Sequence, residues 1–329
     1  MLSASAAADD VDALLGTGIQ GAPRDAYARL IGRMNAGGRA ILAVDIPSGV
    51  AADTGSVAGE AVRAHTTVTF IGRKIGLYTG AGAALSGRVR FASLGSGSRG
   101  NATLVEAAGV RVLVDCGFAL CELERRLGLL GVDPQRLDAV LVTHEHADHI
   151  RGVGALARRY RLPVWASAGT FASGRCGKLP EARVFTGHGQ CIDLGGLQVR
   201  PYPVPHDARE PCQAVLAAHG LKLGLLTDAG SITQHIVECL SGCDGLLLEA
   251  NHDPQMLRSG PYPPRLQARV GGAYGHLSNE QAAQLLERLD HGRLRKVLVG
   301  HLSEKNNHPE LARSRLLAAV PALESRLIV

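Results

Sequence analysis

Thr143-His144-Glu145-His146-Ala147-Asp148-His149 follows directly on the apolar run Ala139-Val140-Leu141-Val142. The apolar run has the composition of a buried strand. The segment after it sets four potential metal ligands, His144, His146, Asp148 and His149, within six residues. In extended backbone alternate residues face the same way, so a strand end of this kind projects imidazoles and a carboxylate from one loop. Neutral imidazole and carboxylate suit Zn²⁺, Mn²⁺ or Fe. Two ligand subsets in one loop point to two adjacent metals, the arrangement that activates water and clamps a phosphate in hydrolysis. A solvated histidine-rich loop is the bland alternative, and the rest of the chain argues against it.

Outward from this loop, further ligand types stand at the ends of β-type runs. His206 ends Tyr202-Pro203-Val204-Pro205-His206, Asp228 ends Leu225-Leu226-Thr227-Asp228, and His301 ends Val297-Leu298-Val299-Gly300-His301. Ligands at successive strand ends converge on one edge of a sheet sandwich. A carboxylate has two oxygens, so Asp228 is a natural bridge between two ions. Asp115 ends an earlier strand, Val110–Val114. Other strands are expected at 102–107, 137–142, 163–167, 182–185, 197–204, 246–249 and 296–300. The pair 214–218 and 221–227 flanks His219-Gly220, a hairpin signal. Helices are expected at 150–160, 279–289 and 309–318, the last two with capping or proline starts.

Composition sets the frame. The chain has 329 residues, 46% hydrophobic and 20% charged, which suits a folded chain of two domains. The formal net charge of +5 mildly favours a polyanionic substrate. Seven cysteines, an odd number, with no secretory pattern at Met1-Leu2-Ser3-Ala4-Ser5, argue for reduced thiols and a cytoplasmic protein. No apolar run is long enough to span a membrane. Cys239 and Cys243 form a Cys-x3-Cys pair, read as buried small hydrophobes rather than a metal site. Arg99, Arg151, Arg158, Arg159 and Arg161, near the Gly-rich entrance or after the metal loop, are candidate phosphate contacts, with a solvated helix face as the alternative.

Residues 1–89 differ in character from residues 90–329. A helix is expected from about Arg24 to Asn35, and strands at 40–46 and 66–71, an alternation that indicates a parallel α/β sheet. Three motifs stand out: Asp12-Ala13-Leu14-Leu15-Gly16-Thr17-Gly18, Ala43-Val44-Asp45-Ile46-Pro47-Ser48-Gly49, and the stretch from Thr69 to Gly80, TFIGRKIGLYTG. Together they resemble the second half of the YjeF N-terminal domain, the NAD(P)H-hydrate epimerases. The resemblance implies a partial Rossmann-like α/β segment in which Asp12 and Ser48 ligand K⁺. It also implies that Gly16, Thr17, Gly18 and Asp45 hold the damaged nicotinamide nucleotide. A Gly-rich turn with free N–H groups is a sensible phosphate cradle. The family's first half, with its nucleotide loop and one potassium ligand, has no counterpart, so the segment is expected to be a remnant with weak or absent epimerase activity.

The full ligand pattern over residues 91–329 resembles the metallo-β-lactamase superfamily and implies its αββα sandwich. By that resemblance one metal takes His144, His146 and His206, the other takes Asp148, His149 and His301, and Asp228 bridges them. A hydroxide between the metals is the implied nucleophile, which Asp148 helps to orient, and Asp115 orients the histidine loop. Gly275-His276-Leu277-Ser278 resembles the phosphodiesterase branch, where a histidine at the position of His276 contacts phosphate or protonates the leaving group. Three stretches are similar to the YycJ/WalJ-like exonucleases: Ser93-Leu94-Gly95-Ser96-Gly97-Ser98-Arg99-Gly100-Asn101, Glu249-Ala250-Asn251-His252-Asp253, and the run from His301 to Asn307. Asn251 and His252 are then expected to line the site. The expected function is a 5′→3′ DNA exonuclease with two divalent metals, Zn or Mn, and DNA as partner; a homodimer is compatible with the reading. The alternatives are a thioester or lactone hydrolase, an epimerase acting through the N-terminal segment, or an inactive binding protein.

Overall fold

The computed structural model describes residues 10–15, 21–52, 55–68, 88–89, 91–97, 99–186, 189–218 and 220–329. Two compact units are present, Met1–Ser93 with Leu129–Gly131, and Leu94–Gly128 with Val132–Val329. Among the described residues no helix is long and apolar enough to cross a membrane.

The first unit is a parallel sheet of strands Asp10–Asp12, Ile41–Val44, Thr66–Val68 and Arg88–Val89, side by side in that order. Parallel neighbours need a crossover, and the helix Asp25–Ala36 supplies it between the first two strands. The helix opens just after Pro23, carries Asp25 in its first turn, where the helix dipole favours an anion, and ends at Gly37. Its buried Ile31 packs with Ile41, Ala43 and Val62. The strand expected at 66–71 is described as Thr66–Val68; the rest of that motif, with Gly16, Thr17 and Gly18, lies outside the described residues.

The second unit contains two sheets. In the first of them Glu181–Phe185, Pro163–Ser167, Ala139–Leu141 and Val110–Val114 run parallel. Ala102–Ala107 pairs antiparallel with Val110–Val114. In the seven-stranded sheet the order is Ile192–Asp193, Gln198–Pro203, Cys212–Ala218, Leu221–Leu226, Gly245–Glu249, Lys296–Gly300, Leu327–Ile328. Its last four strands are parallel.

Parallel strands covered on both faces should be largely apolar, and the buried stretches 225–226, 246–248 and 297–299 are. Leu246, Leu248, Val297 and Val299 form one face and pack with Ala282, Leu285 and Leu286 of the helix Asn279–Arg288 and Leu316 of the helix Pro309–Ala319. Leu225 and Leu247, on the opposite face, meet Thr103, Val114 and Thr143 of the other sheet around a small internal cavity. Each such buried leucine contributes about 2 kcal/mol of transfer free energy. The helix Asn279–Arg288 starts where Ser278 and Gln281 exchange side-chain and backbone hydrogen bonds in a capping box. The expected hairpin is present, with Ala218 opposite Leu221 and Gly220 at φ 76°.

The single helix expected at 150–160 is instead two, Ala147–Ile150 and Val153–Tyr160. Gly152 explains the break. Its N–H donates to Cys116 O at 2.8 Å, and a Cβ there would sit 2.1 Å from Phe118 O. The break anchors the metal-loop turn to the end of the neighbouring strand.

Candidate metal centre

Strand polarity gathers the polar residues. Asp115, Asp228 and His301 each follow a parallel strand closely, and Glu249 is the last residue of another. Parallel strands share an edge at their C-terminal ends, so these four side chains arrive together. Asp115, Asp228 and His301 all have positive φ, at 62°, 55° and 54°. Such backbone costs about 1–3 kcal/mol per residue and persists where the surroundings over-determine it.

Among the described residues four sets of ligand atoms lie within 4.8 Å of one another: His144, His146, His206; Asp148, His149, His301; His144, His149, Asp228; and Asp228, Glu249, His276, His301. The two triads named from the sequence are therefore each brought together, and Asp228 stands beside members of both. The outward bonds set the tautomers. His149 Nδ1 donates to Asp115 Oδ2 at 2.8 Å, His301 Nδ1 to Glu249 Oε1 at 2.7 Å, and His206 Nδ1 to Gly275 O at 2.9 Å. His144 Nδ1 faces Thr143 Oγ1 at 3.0 Å. Each of these rings is left with an Nε2 lone pair.

Three observations test whether the donors fit metal ions. His144 Nε2 and Asp228 Oδ2 are buried and have no hydrogen-bond partner. Leaving such atoms unsatisfied costs about 1–3 kcal/mol each. His146 Nε2 donates to Asp207 O at 3.2 Å, which leaves His146 Nδ1 with its lone pair facing His206 Nε2 at 3.1 Å. Two lone pairs at that distance repel unless a cation stands between them. The residues fit: this imidazole and carboxylate set is a divalent-metal site.

The surrounding carboxylates brace it. Asp115 accepts from Thr143 N and Thr143 Oγ1, both at 2.8 Å, as well as from His149. Glu249, fully buried, accepts from His276 Nδ1 at 2.8 Å and from Leu277 N at 3.2 Å besides His301. Burial alone would raise the Glu249 carboxyl, but His276 and His301 outweigh it and hold it at about 2. Burial would lower His276, yet Glu249, with Asp228, lifts it to about 9. Burial likewise opposes charge on His149, and Asp228 and Asp115 carry its pKa well above 6.5, so that a metal taking the Nε2 lone pair displaces a proton there. His144, pushed down by burial and by His149, is neutral.

A cleft of ≈ 590 Å³ opens on these groups, lined among others by Asp148, Asp228, His276 and His301. Its guanidinium groups are Arg175 and Arg269. The five arginines named from sequence do not line it. Arg99 pairs with Glu304, Arg158 donates to Lys178 O at 3.0 Å, Arg159 pairs with Glu124, Arg161 caps a helix in left-handed conformation, and Arg151 stands off the cleft. Asn251 lines the cleft and donates to His301 O at 2.9 Å. His252 instead lines a neighbouring cavity of ≈ 510 Å³, where burial lowers its pKa to about 4. Among the described residues Cys239 and Cys243 belong to no group of three ligands. In the first unit Asp12 and Ser48 meet: Ser48 N and Ser48 Oγ donate to the two Asp12 oxygens at 2.7 and 2.6 Å. Asp45 follows a strand end at φ 73°.

Sequence reasoning gave no role to Glu249 or to Asn101, whose Nδ2 lies 2.9 Å from His149 Nε2 and 3.2 Å from Asp148 Oδ2. The strand-end signal that marked Asp228 and His301 was present at Glu249 as well.

Comparison with known proteins agrees with this geometry. Residues 110–301 match the family described as Beta-lactamase superfamily domain, and the chain belongs to that superfamily, with the metallohydrolase fold. It is similar to exodeoxyribonuclease WalJ of Streptococcus pneumoniae serotype 2 (strain D39 / NCTC 7466), 37% identical over 229 residues, 68% of this chain and 85% of that one. The metallo-beta-lactamase fold protein YhfI from Bacillus subtilis superposes with a TM-score of 0.56 at 17% identity, over 70% of this chain and 92% of that one. Residues 8–76 match the family described as YjeF-related protein N-terminus. There the bifunctional NAD(P)H-hydrate repair enzyme Nnr of Escherichia coli (strain K12) is 48% identical over 85 residues, 26% of this chain but only 16% of that protein.

Proposed function

We propose that residues 90–329 are a dinuclear metal-dependent phosphodiesterase that degrades DNA from an end, in the 5′→3′ direction. The observation that carries the reading is the pair of triads with buried Asp228 beside members of both, next to a histidine held charged by Glu249 and a cleft walled by two arginines. The similarity to an exodeoxyribonuclease over 85% of its length supports the substrate. In this reading His144, His146 and His206 hold one ion, Asp148, His149 and His301 the other, and Asp228 stands between. Two divalent ions bound there, Zn²⁺ or Mn²⁺, supply positive charge for a phosphate and lower the pKa of water.

The chain's own groups do the rest. Arg175 and Arg269 take the non-bridging oxygens of the phosphate, a task suited to guanidinium. His276, with Nδ1 fixed on Glu249, offers the proton on Nε2 to the departing sugar oxygen, so that the product alkoxide is neutralised as it leaves. Asp148 and Asn251 border the same space and orient what enters it. In residues 1–89, Asp12 and Ser48 are proposed to hold K⁺, with Gly16, Thr17, Gly18 and Asp45 toward a nicotinamide nucleotide; their oxygen donors suit a hard cation.

The test is cleavage of 5′-labelled duplex DNA by metal-free protein resupplied with Mn²⁺, beside His144→Ala and Asp228→Ala. Short labelled products that depend on Mn²⁺ and vanish in both variants are expected. A folded, metal-loaded protein that leaves DNA intact overturns the reading and favours a thioester or lactone substrate.

A further inference from the structure

Pro254–Gly275 holds three arginines, two tyrosines and no aspartate or glutamate, in a chain with only 4% aromatic residues. It lies between the strand Gly245–Glu249 and the helix Asn279–Arg288 and forms two short helices, Pro254–Ser259 and Pro264–Val270. Leu266, Arg269 and Val270, spaced i, i+3 and i+4, share a helix face and line the metal cleft. Tyr262, in the turn between the helices, lines it with them.

Tyr262 is unlike a core tyrosine. Tyr202 is 2% exposed and its hydroxyl donates to Leu225 O. Tyr262 is half-buried at the wall of an open cleft. Pro261 and Pro263 flank it and restrict the backbone on both sides. Gln267 Nε2 donates to Tyr262 O at 2.9 Å and pins the turn to the helix that follows. Lys305, from the segment after His301, brings its Nζ to 5.8 Å from the Tyr262 ring centroid. A rigid ring next to positive charge, opening on a metal-and-arginine site, matches what single-stranded nucleic acid requires: a π face for a base and cations for the phosphates beside it.

We infer that Tyr262 is the stacking platform for the nucleobase next to the phosphate being cut, with Lys305 taking the flanking phosphate. This rests on the nuclease reading above and adds a specificity to it: the end nucleotide enters unpaired, and a missing base is felt. Stacking on one aromatic side chain changes affinity by roughly tenfold or more.

The experiment compares kcat/KM of the full chain, loaded with Mn²⁺, on a single-stranded oligonucleotide and on the same strand with an abasic end nucleotide. The wild type should prefer the intact strand by about tenfold. Tyr262→Phe should keep that preference. Tyr262→Ala, and Tyr262→Leu as a second variant that preserves bulk, should bring the ratio near one with metal content and thermal unfolding unchanged. Equal turnover of both strands by the wild type, or a wild-type ratio in a folded Tyr262→Ala or Tyr262→Leu protein, overturns the stacking role and leaves the nuclease reading standing. Cleavage of neither strand by a metal-loaded wild type that cuts duplex DNA overturns the platform alone, and failure on duplex DNA as well overturns the nuclease reading with it.

Discussion

Asp12 in the first unit and Asp228 in the second are both buried aspartates at the end of a parallel strand, 0% and 2% exposed. Their surroundings differ. Both oxygens of Asp12 accept from Ser48, through its N–H and hydroxyl, and Oδ1 accepts from Leu14 N at 3.4 Å as well. Asp228 Oδ2 has no hydrogen-bond partner, while nitrogens of His149, His206, His276 and His301 lie 3.2 to 3.8 Å from its two oxygens. Burial raises the Asp12 pKa, opposed by its bonds to Ser48. Burial would raise Asp228 too, but His301 and His149 hold it well below the usual range. A buried carboxylate that completes its own hydrogen bonds organises a fold. One that faces only imidazoles is arranged for cations.

The sharpest break of that comparison is removal of Asp228. Asp228→Ala should lower cleavage by about 10³-fold or more, since metal charge on a phosphate is worth several kcal/mol. Metal analysis of the purified variant should show lost ions. A variant that keeps both metal and turnover would make Asp228 a structural residue like Asp12. Next comes His276→Ala, for which a loss of about 10²- to 10⁴-fold is expected for a general acid. Its pKa of about 9 gives the sign of the pH effect: the donating form dominates below pH 9 and is lost above it. The wild-type rate should therefore fall as pH rises through about 9, and that limb should be missing from the residual rate of His276→Ala. Asp115→Asn is milder. It keeps one acceptor but puts an N–H against donors from Thr143 or His149, and about 10- to 100-fold weaker metal binding should appear in a chelator competition.

The His144–His149 loop, His206, Asp228 and His301 could be read in the sequence because each follows its own β-type run, and strand direction then forces convergence. Glu249 ends such a run too, yet its role depends on two rings, His276 and His301, that come from separate elements and meet on one oxygen. The arginines named from the sequence lie off this cleft for a related reason. Proximity in sequence to the metal loop put Arg158 and Arg159 forward, but the break at Gly152 redirects the helix Val153–Tyr160, and they bond to Lys178 and Glu124 instead. Arg175 reaches the site by donating to Glu145 O at 2.9 Å, and Arg269 by pairing with Asp207. Neither contact has a local pattern.

The smallest effects belong to Asp12, where the comparison can be refined. Asp12→Ala leaves the buried N–H of Ser48 without its acceptor, which costs about 1–3 kcal/mol in the first unit. Asp12→Asn should cost less. Its amide oxygen can accept from Ser48 N, and its NH₂ can donate to Ser48 Oγ, which then turns its proton to Leu15 O, 3.2 Å away. The charge is what the asparagine lacks. Because the folded-state pKa of Asp12 is raised, its contribution to stability is full at low pH and is lost as pH rises through that pKa, so Asp12→Asn should narrow the gap to wild type toward neutral pH. A bound K⁺ would reverse this by stabilising the carboxylate. Urea unfolding of the first unit, followed by hydrogen exchange at Ile41–Val44 in KCl and in NaCl of equal ionic strength, separates the two roles. Extra protection in KCl for the wild type, absent in Asp12→Asn, is expected of a potassium ligand. Equal protection in both salts would leave Asp12 as a carboxylate whose only task is to hold Ser48.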